Sequence, residues 1–92
     1  MSNNGIDRSS DAYIWIQGNI RGVGCFIFGA TSRIKGILRN NFRIEDSTNG
    51  DHIAAAPTIV INFLVTCGYR IKETTTIDHF NLLWTLQPQN FN

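Results

Sequence analysis

Two histidines and two cysteines are the side chains of this sequence best suited to bind a metal ion, and they are His52, His79, Cys25 and Cys67. A protein zinc site needs three or four converging ligands, usually with pairs spaced as in C-x-x-C or H-x-x-x-H. The chain contains no such spacing. We therefore predict no metal site, and we interpret both histidines as solvated turn residues and both cysteines as small core residues with free thiols.

Nucleophilic catalysis and nucleotide binding also lack their usual sequence patterns. Asp78-His79 could supply an oriented base, but the serines lie in the N-terminal segment and in loops, where no fixed geometry is expected. Gly22-Val23-Gly24 is too short for a dinucleotide-binding loop and opens a strand rather than a helix. We predict a protein that is not an enzyme and that needs no cofactor.

Four basic residues lie within eleven positions and would share one face of a continuous strand: Arg33, Lys35, Arg39 and Arg43. A nucleic-acid-binding surface of this kind normally adds aromatic side chains on which bases stack, whereas only Phe42 lies nearby. Eight basic and seven acidic residues give a net charge of +1, which supplies no bulk attraction to nucleic acid or to anionic membranes. We expect neither partner, and an α+β nucleic-acid-binding module remains an alternative.

Ninety-two residues allow a single domain with a thin core. Charged residues make up 16% of the chain, against about 25% in typical proteins, so we expect a partner or further copies to cover part of the surface. Residues 1–11 are predicted to be a flexible tail, residues 12–88 the domain, and residues 89–92 a C-terminal tail. The distant cysteines and the polar N-terminus favour the cytoplasm, with the nucleus as an additional compartment.

Apolar runs predict strands at residues 13–17, 23–28, 33–45, 69–72 and 80–86. The first strand is apolar on both faces, which is typical of a sheet covered on both sides or of a subunit interface. For the third strand, Gly36 is interpreted as a bulge because it weakens the alternative of a helix. Leu82, Trp84 and Leu86 share one face of the last strand and predict core positions.

One long helix is predicted at about residues 57–67. Pro57 suits a first helical turn, and Gly68 suits a left-handed helix end. The apolar positions between them recur at helical spacing, and they are Val60, Ile61, Leu64 and Val65. Strands on either side of one helix predict an α+β domain with a mainly antiparallel sheet of about five strands.

Four segments in this order resemble the GTP cyclohydrolase I feedback regulatory protein family. They are Tyr13-Ile14-Trp15-Ile16 with Ile20-Arg21 and Val23-Gly24, then Leu38-Arg39-Asn40-Asn41-Phe42, then Gly68-Tyr69-Arg70-Ile71, and last Leu82-Leu83-Trp84-Thr85-Leu86. The resemblance covers residues 13 to about 86, most of the predicted domain. It implies a non-catalytic regulator that forms a cyclic homopentamer.

This resemblance also implies partners and sites. The pentamer would dock on GTP cyclohydrolase I, so that tetrahydrobiopterin inhibits the enzyme and phenylalanine stimulates it. We expect an effector pocket between the turn Ile20-Arg21-Gly22 and the last hairpin at His79-Phe80. We expect neighbouring subunits to cover Tyr13, Trp15 and Phe26.

Three departures from the family pattern accompany the resemblance. A helix that the family carries between its second and third strands is expected to be missing here, and the loop 46–56 is longer. His79 or Phe80 stands where the family has a glutamine near its effector pocket, so phenylalanine coupling should be weak or lost. An alternative function is an oligomeric scaffold, since the pentameric C-terminal domains of potassium-channel tetramerisation-domain adaptors look similar to this fold.

Overall fold

The computed structural model describes residues 13–48 and 50–89, which form an α+β fold with a six-stranded antiparallel sheet and two helices. The elements in chain order are β1 (Ile14–Asn19), β2 (Cys25–Phe28), α1 (Ser32–Arg39), β3 (Ile44–Glu45), β4 (Asp51–Ile53), α2 (Pro57–Thr66), β5 (Tyr69–Thr76) and β6 (Asn81–Pro88). The strand order is β3-β4-β2-β1-β6-β5. The predicted tails lie almost wholly outside the described residues.

Strand β1 lies at the centre of the sheet and pairs antiparallel with β2 on one side and β6 on the other. Alternate residues of a strand point to opposite faces, so Ile14 and Ile16 enter the core while Trp15 lies on the other face. Ile16 stands opposite Trp84 of β6, which is 7% exposed. The predicted core position of Trp84 is confirmed.

The core lies between one face of the sheet and the two helices. Its members are aliphatic side chains with one cysteine and two aromatic rings, and they are Ile14, Ile16, Cys25, Ile27, Ile34, Leu38, Ile53, Val60, Ile61, Leu64, Tyr69, Trp84 and Leu86. Full burial of one such aliphatic side chain contributes about 1.5–3 kcal/mol. The opposite face of the sheet is covered by no element of the described chain, which differs from a sheet with helices on both sides.

Helix α2 follows the predicted span closely. Pro57 occupies the first helical turn, where its missing N–H removes no hydrogen bond. The helix ends at Thr66 with Cys67 as the C-cap, and Gly68 then adopts a φ of +101°. Val65 departs from its predicted core role because it is 45% exposed, whereas Val60, Ile61 and Leu64 are buried.

Helix α1 corrects the prediction of a bent strand at residues 33–45 and of a single helix. The Thr31 hydroxyl accepts a hydrogen bond from the Ile34 N–H at 3.3 Å, so it caps the helix start. Ile34 and Leu38 lie on one side of the helix and are fully buried, and Gly36 lies on the exposed side. Burial of that apolar side outweighs the low helix propensity of Gly36. The helix that was expected to be missing is therefore present.

Two strand predictions are also corrected, and the sheet has six strands rather than about five. Residues 51–53 form β4, a three-residue strand too short for a clear alternation signal, which pairs with both β2 and β3. Strand β5 continues through Thr76 instead of ending at Lys72, because the threonine run pairs with β6 as far as Leu82. Neither described helix has the length and apolarity needed to cross a membrane.

An ion pair joins α1 to the short strands. Lys35 Nζ lies 3.0 Å from Asp51 Oδ2, and the Asp51 side chain is 6% exposed. At the end of α1, Arg39 pairs with Asp46 at 2.6 Å in an exposed position. These contacts place two of the four basic residues against carboxylates rather than in a row facing solvent.

Candidate functional site

The turn after β1 and the hairpin between β5 and β6 lie side by side at one end of the sheet. The Ile20 N–H donates to the Phe80 carbonyl at 2.9 Å, which extends the β1–β6 pairing beyond both strands. The Arg21 guanidinium carbon lies 5.2 Å from the centre of the Phe80 ring. Residues about sixty positions apart in the chain thus form one surface, which we call the turn–hairpin site, composed of Ile20, Arg21, Gly22, His79 and Phe80.

Local hydrogen bonds fix the backbone of the turn. The Asn19 side-chain oxygen accepts from the Arg21 N–H at 2.7 Å, and the Asn19 carbonyl accepts from the Gly22 N–H at 2.8 Å. Asparagine commonly forms such turns, because its short side chain reaches the backbone two residues ahead. The backbone is held in place, and the long Arg21 side chain extends from it.

The hairpin is held by the Asp78 carboxylate. The Asp78 Oδ1 atom accepts from the Asn81 side-chain nitrogen at 2.9 Å and from the Asn81 N–H at 3.3 Å. This carboxylate therefore closes the turn. His79 is exposed, and its ring lies 6.3 Å from the Phe80 ring.

The turn–hairpin site combines a cation with exposed apolar surface. No ion pair involves Arg21 within residues 13–48 and 50–89, so its guanidinium is available to a carboxylate or phosphate. Ile20 is 50% and Phe80 49% exposed, and both can pack against an apolar ligand. A molecule that carries a carboxylate next to an aromatic or aliphatic group matches both features.

A second candidate surface is the free face of the sheet, which we call the open sheet face. The four inner strands and the residue before β1 contribute the following outward side chains: Tyr13, Trp15, Gln17, Asn19, Phe26, Phe28, His52, Asn81, Leu83, Thr85 and Gln87. None of them is an acid, a lysine or an arginine. The charged residues of this side lie on the two edge strands, and they are Glu45, Arg70, Lys72 and Glu73.

Aromatic contacts organise the open sheet face. The Tyr13 and Trp15 rings lie 6.3 Å apart, and the Phe26 and His52 rings meet edge to face at 5.1 Å. Tyr13, Trp15 and Phe26 are 38%, 36% and 41% exposed. An uncharged aromatic centre with a charged rim is the composition of a protein–protein interface. The structure thus brings together the three residues predicted to lie at a subunit contact.

The other groups of polar and charged residues named in the sequence do not come together in the described residues. Within the described residues no three His, Cys, Asp or Glu side chains converge. Cys25 is buried in β2 and Cys67 caps α2, and both thiols are free. The basic row at residues 33–43 does not share one face, because its first seven positions form a helix rather than a strand.

One surface was not predicted from the sequence, and it is the exposed side of α2. Five side chains on this side are exposed and none is charged, and they are Thr58, Ile59, Asn62, Val65 and Thr66. The sequence does indicate an uncharged helix surface here, since no charged residue occurs between Ala54 and Gly68. Ile59 and Val65 add apolar surface to this side, whereas the outer side of a surface helix is typically charged and polar.

Comparison with family models, with curated proteins and with solved structures finds no match for this chain.

Proposed function

We propose that this protein is a non-catalytic regulator that docks on GTP cyclohydrolase I and couples the enzyme to tetrahydrobiopterin and phenylalanine. The proposal begins from the sequence resemblance in four ordered segments. The chain does not lack the first helix of the family pattern, because α1 lies between β2 and β3, where the family carries a helix. The order ββαββαββ is therefore compatible with the resemblance along the whole domain.

The observation that carries the proposal is the contact between Arg21 and Phe80 across the turn–hairpin site. The resemblance implies an effector pocket between these two segments, and the chain brings them within hydrogen-bonding distance. An amino acid with an aromatic side chain offers a carboxylate to the guanidinium and a ring to Phe80 and Ile20. This is the chemistry of phenylalanine.

Because this site is exposed, we expect the isolated protein to bind an effector only weakly. Ile20 and Phe80 are both about half exposed, so a bound ligand would keep much of its surface in water. Docking of the enzyme against this end of the sheet would bury the ligand and strengthen its contacts. An effector that binds the docked complex better than the free protein then stabilises that complex by the difference in affinity.

We also propose that the protein assembles as a cyclic homopentamer through the open sheet face. Its three exposed rings and its lack of charge support assembly, because no ionised side chain of the inner strands loses water when the face is covered. Native mass spectrometry at micromolar concentration should give a mass of five chains. A stable monomer would contradict this part of the proposal.

The experiment that tests the proposal is an assay of GTP cyclohydrolase I with and without this protein, across concentrations of tetrahydrobiopterin and phenylalanine. We expect tetrahydrobiopterin to inhibit more strongly when the protein is present. The stimulation by phenylalanine should be weaker than the family norm, because His79 or Phe80 replaces an amide partner. Unchanged enzyme kinetics at saturating protein, together with no complex in size-exclusion chromatography, would refute the proposal.

A second candidate function is an oligomeric scaffold without effector control. The open sheet face supports the scaffold function as much as the regulator function, since assembly by itself requires no ligand. The two functions differ at the turn–hairpin site. A scaffold should assemble and bind its partners identically with and without phenylalanine, whereas a regulator should not.

A further inference from the structure

The described chain carries two uncharged surfaces that no part of it covers. The first is the open sheet face, with Tyr13, Trp15 and Phe26 at its centre. The second is the exposed side of α2, which we call the α2 face, composed of Thr58, Ile59, Asn62, Val65 and Thr66. Ile59 and Val65 are 55% and 45% exposed, and they lie at the two flanks of the α2 face with Thr58, Asn62 and Thr66 between them.

These two surfaces point in opposite directions. Helix α2 packs on the core side of the sheet through Val60, Ile61 and Leu64, so its exposed side points away from the sheet. A two-fold symmetric contact joins a surface to its own copy and would cover one of the two surfaces only. A head-to-tail contact joins two different surfaces, and repeated around a ring it covers both.

Charge and area both favour this pairing. The residues that form the two surfaces include no acid, lysine or arginine, and the Lys72 ammonium of the neighbouring edge strand reaches the Tyr13 ring at 5.6 Å from its centre. Aromatic side chains present about 150–250 Å² each, so exposed fractions of 36% to 41% leave on the order of 200 Å² on the three rings. This is about half of the apolar area that each partner contributes to a standard interface of roughly 800 Å² per side.

We propose that the open sheet face of one copy binds the α2 face of the next copy, and that this contact closes the ring. The inference rests on the ring assembly in the proposed function, and it adds the identity of the second surface. Trp15 and Phe26 would pack against Ile59 and Val65, while the charged edge strands form the rim. The turn–hairpin site needs neither surface and stays available to an enzyme partner.

Complementation between two variants tests the contact. Trp15→Arg damages the sheet face and leaves the α2 face intact, and Ile59→Arg does the reverse. Each variant alone should be monomeric in native mass spectrometry, because a ring needs both surfaces on every copy. An equimolar mixture should form a dimer of one copy of each variant, since one intact sheet face then meets one intact α2 face. The mixture is measured at roughly tens of micromolar, because a single contact lacks the avidity of a closed ring.

The matched control is Ile77→Arg, which places the same charge at another exposed isoleucine, 49% exposed and outside both surfaces. It should assemble as the wild type does. If either test variant loses its cooperative thermal transition, Phe26→Lys and Val65→Lys replace the pair.

Three results would overturn the inference, and they separate it from the proposed function. If Ile59→Arg forms a ring of the wild-type mass, the α2 face is not a subunit contact, although ring assembly itself is supported. Monomeric variants that do not combine show that the two surfaces do not bind each other. A wild-type monomer removes both the contact and the ring assembly.

Discussion

The two tryptophans stand on opposite faces of one sheet and should respond differently to the same change. Trp84 is 7% exposed in the core, so Trp84→Ala should lower the free energy of unfolding by about 3–5 kcal/mol. Chemical denaturation measures this loss, which is a large fraction of the total stability of a small domain.

Trp15→Ala is the matched control, since Trp15 lies on the open sheet face. It should change mainly how stability depends on protein concentration, because subunit association contributes to stability by mass action. Equal losses for both variants in dilute protein would show that the two faces of the sheet are assigned wrongly.

The two cysteines differ in accessibility, although both are free. Burial raises the pKa of the Cys25 thiol from its usual 9.0 to about 11, because the thiolate would lose its hydration. A thiol reagent at pH 8 should therefore modify one thiol per native chain, at half-buried Cys67, and two in denaturant. Cys67→Ser should leave no reactive thiol in the native protein. Rapid modification of native Cys67→Ser would show that Cys25 is not enclosed.

The raised pKa of Cys25 also has a consequence for stability against pH. Below about pH 9 the thiol is neutral in both the folded and the unfolded chain, so its contribution is fully present. As the pH rises from 9 to 11, the unfolded chain loses this proton first and folding becomes less favourable. Denaturation of the wild type and of Cys25→Ala should show a stability difference that shrinks over this range.

At the scale of elements, two glycines with open space around them separate helix propensity from backbone strain. An added Cβ at Gly36 or at Gly68 meets no atom within 4 Å. Gly36 lies inside α1, so Gly36→Ala should raise the free energy of unfolding by about 0.5–1 kcal/mol. Gly68 has a φ of +101°, so Gly68→Ala should lower it by about 1–2 kcal/mol.

Thermal or chemical denaturation of the two variants measures these opposite changes. Loss of stability in Gly36→Ala would favour the bent strand over the helix at this position.

Elements with several agreeing local signals were predictable, and elements held by tertiary contacts were not. Pro57, the apolar spacing and Gly68 all indicate α2, and the structure gives Pro57–Thr66. For α1 the propensities of Gly36 and Asn40 oppose a helix, and the deciding facts are the burial of Ile34 and Leu38. Such burial depends on where the sheet lies, which local sequence does not contain.

Of the candidate sites, one was predicted from the sequence and one was not. The resemblance predicts that the turn at Arg21 and the hairpin at Phe80 form one site, and the pairing of β1 with β6 brings them together. The α2 face was missed because helical spacing assigned Val65 to the core. Spacing gives the relative angle of two side chains on a helix, but not the width of the side that becomes covered.

At the scale of the whole molecule, effector coupling must be reciprocal if the protein is a regulator. If docking on GTP cyclohydrolase I raises the affinity for phenylalanine by some factor, phenylalanine must raise the affinity for the enzyme by the same factor. Calorimetric titrations of phenylalanine into the complex, and of the protein into the enzyme with and without phenylalanine, measure the two factors. Two unequal factors would show that phenylalanine acts on the enzyme by another route.

Arg21→Ala should remove most of this coupling without changing assembly. The guanidinium is the only cation of the turn–hairpin site as the structure describes it, and Arg21 is exposed and makes no ion pair in the described chain. A charge-assisted hydrogen bond to a ligand carboxylate contributes about 1.5–3 kcal/mol, so its loss should lower the affinity of the complex for phenylalanine roughly 10- to 100-fold and bring both affinity factors close to one. Arg33→Ala is the control, since Arg33 lies on α1 outside this site. Phenylalanine binding that stays tight in the double variant Arg21→Ala with His79→Ala would place the effector elsewhere on the complex.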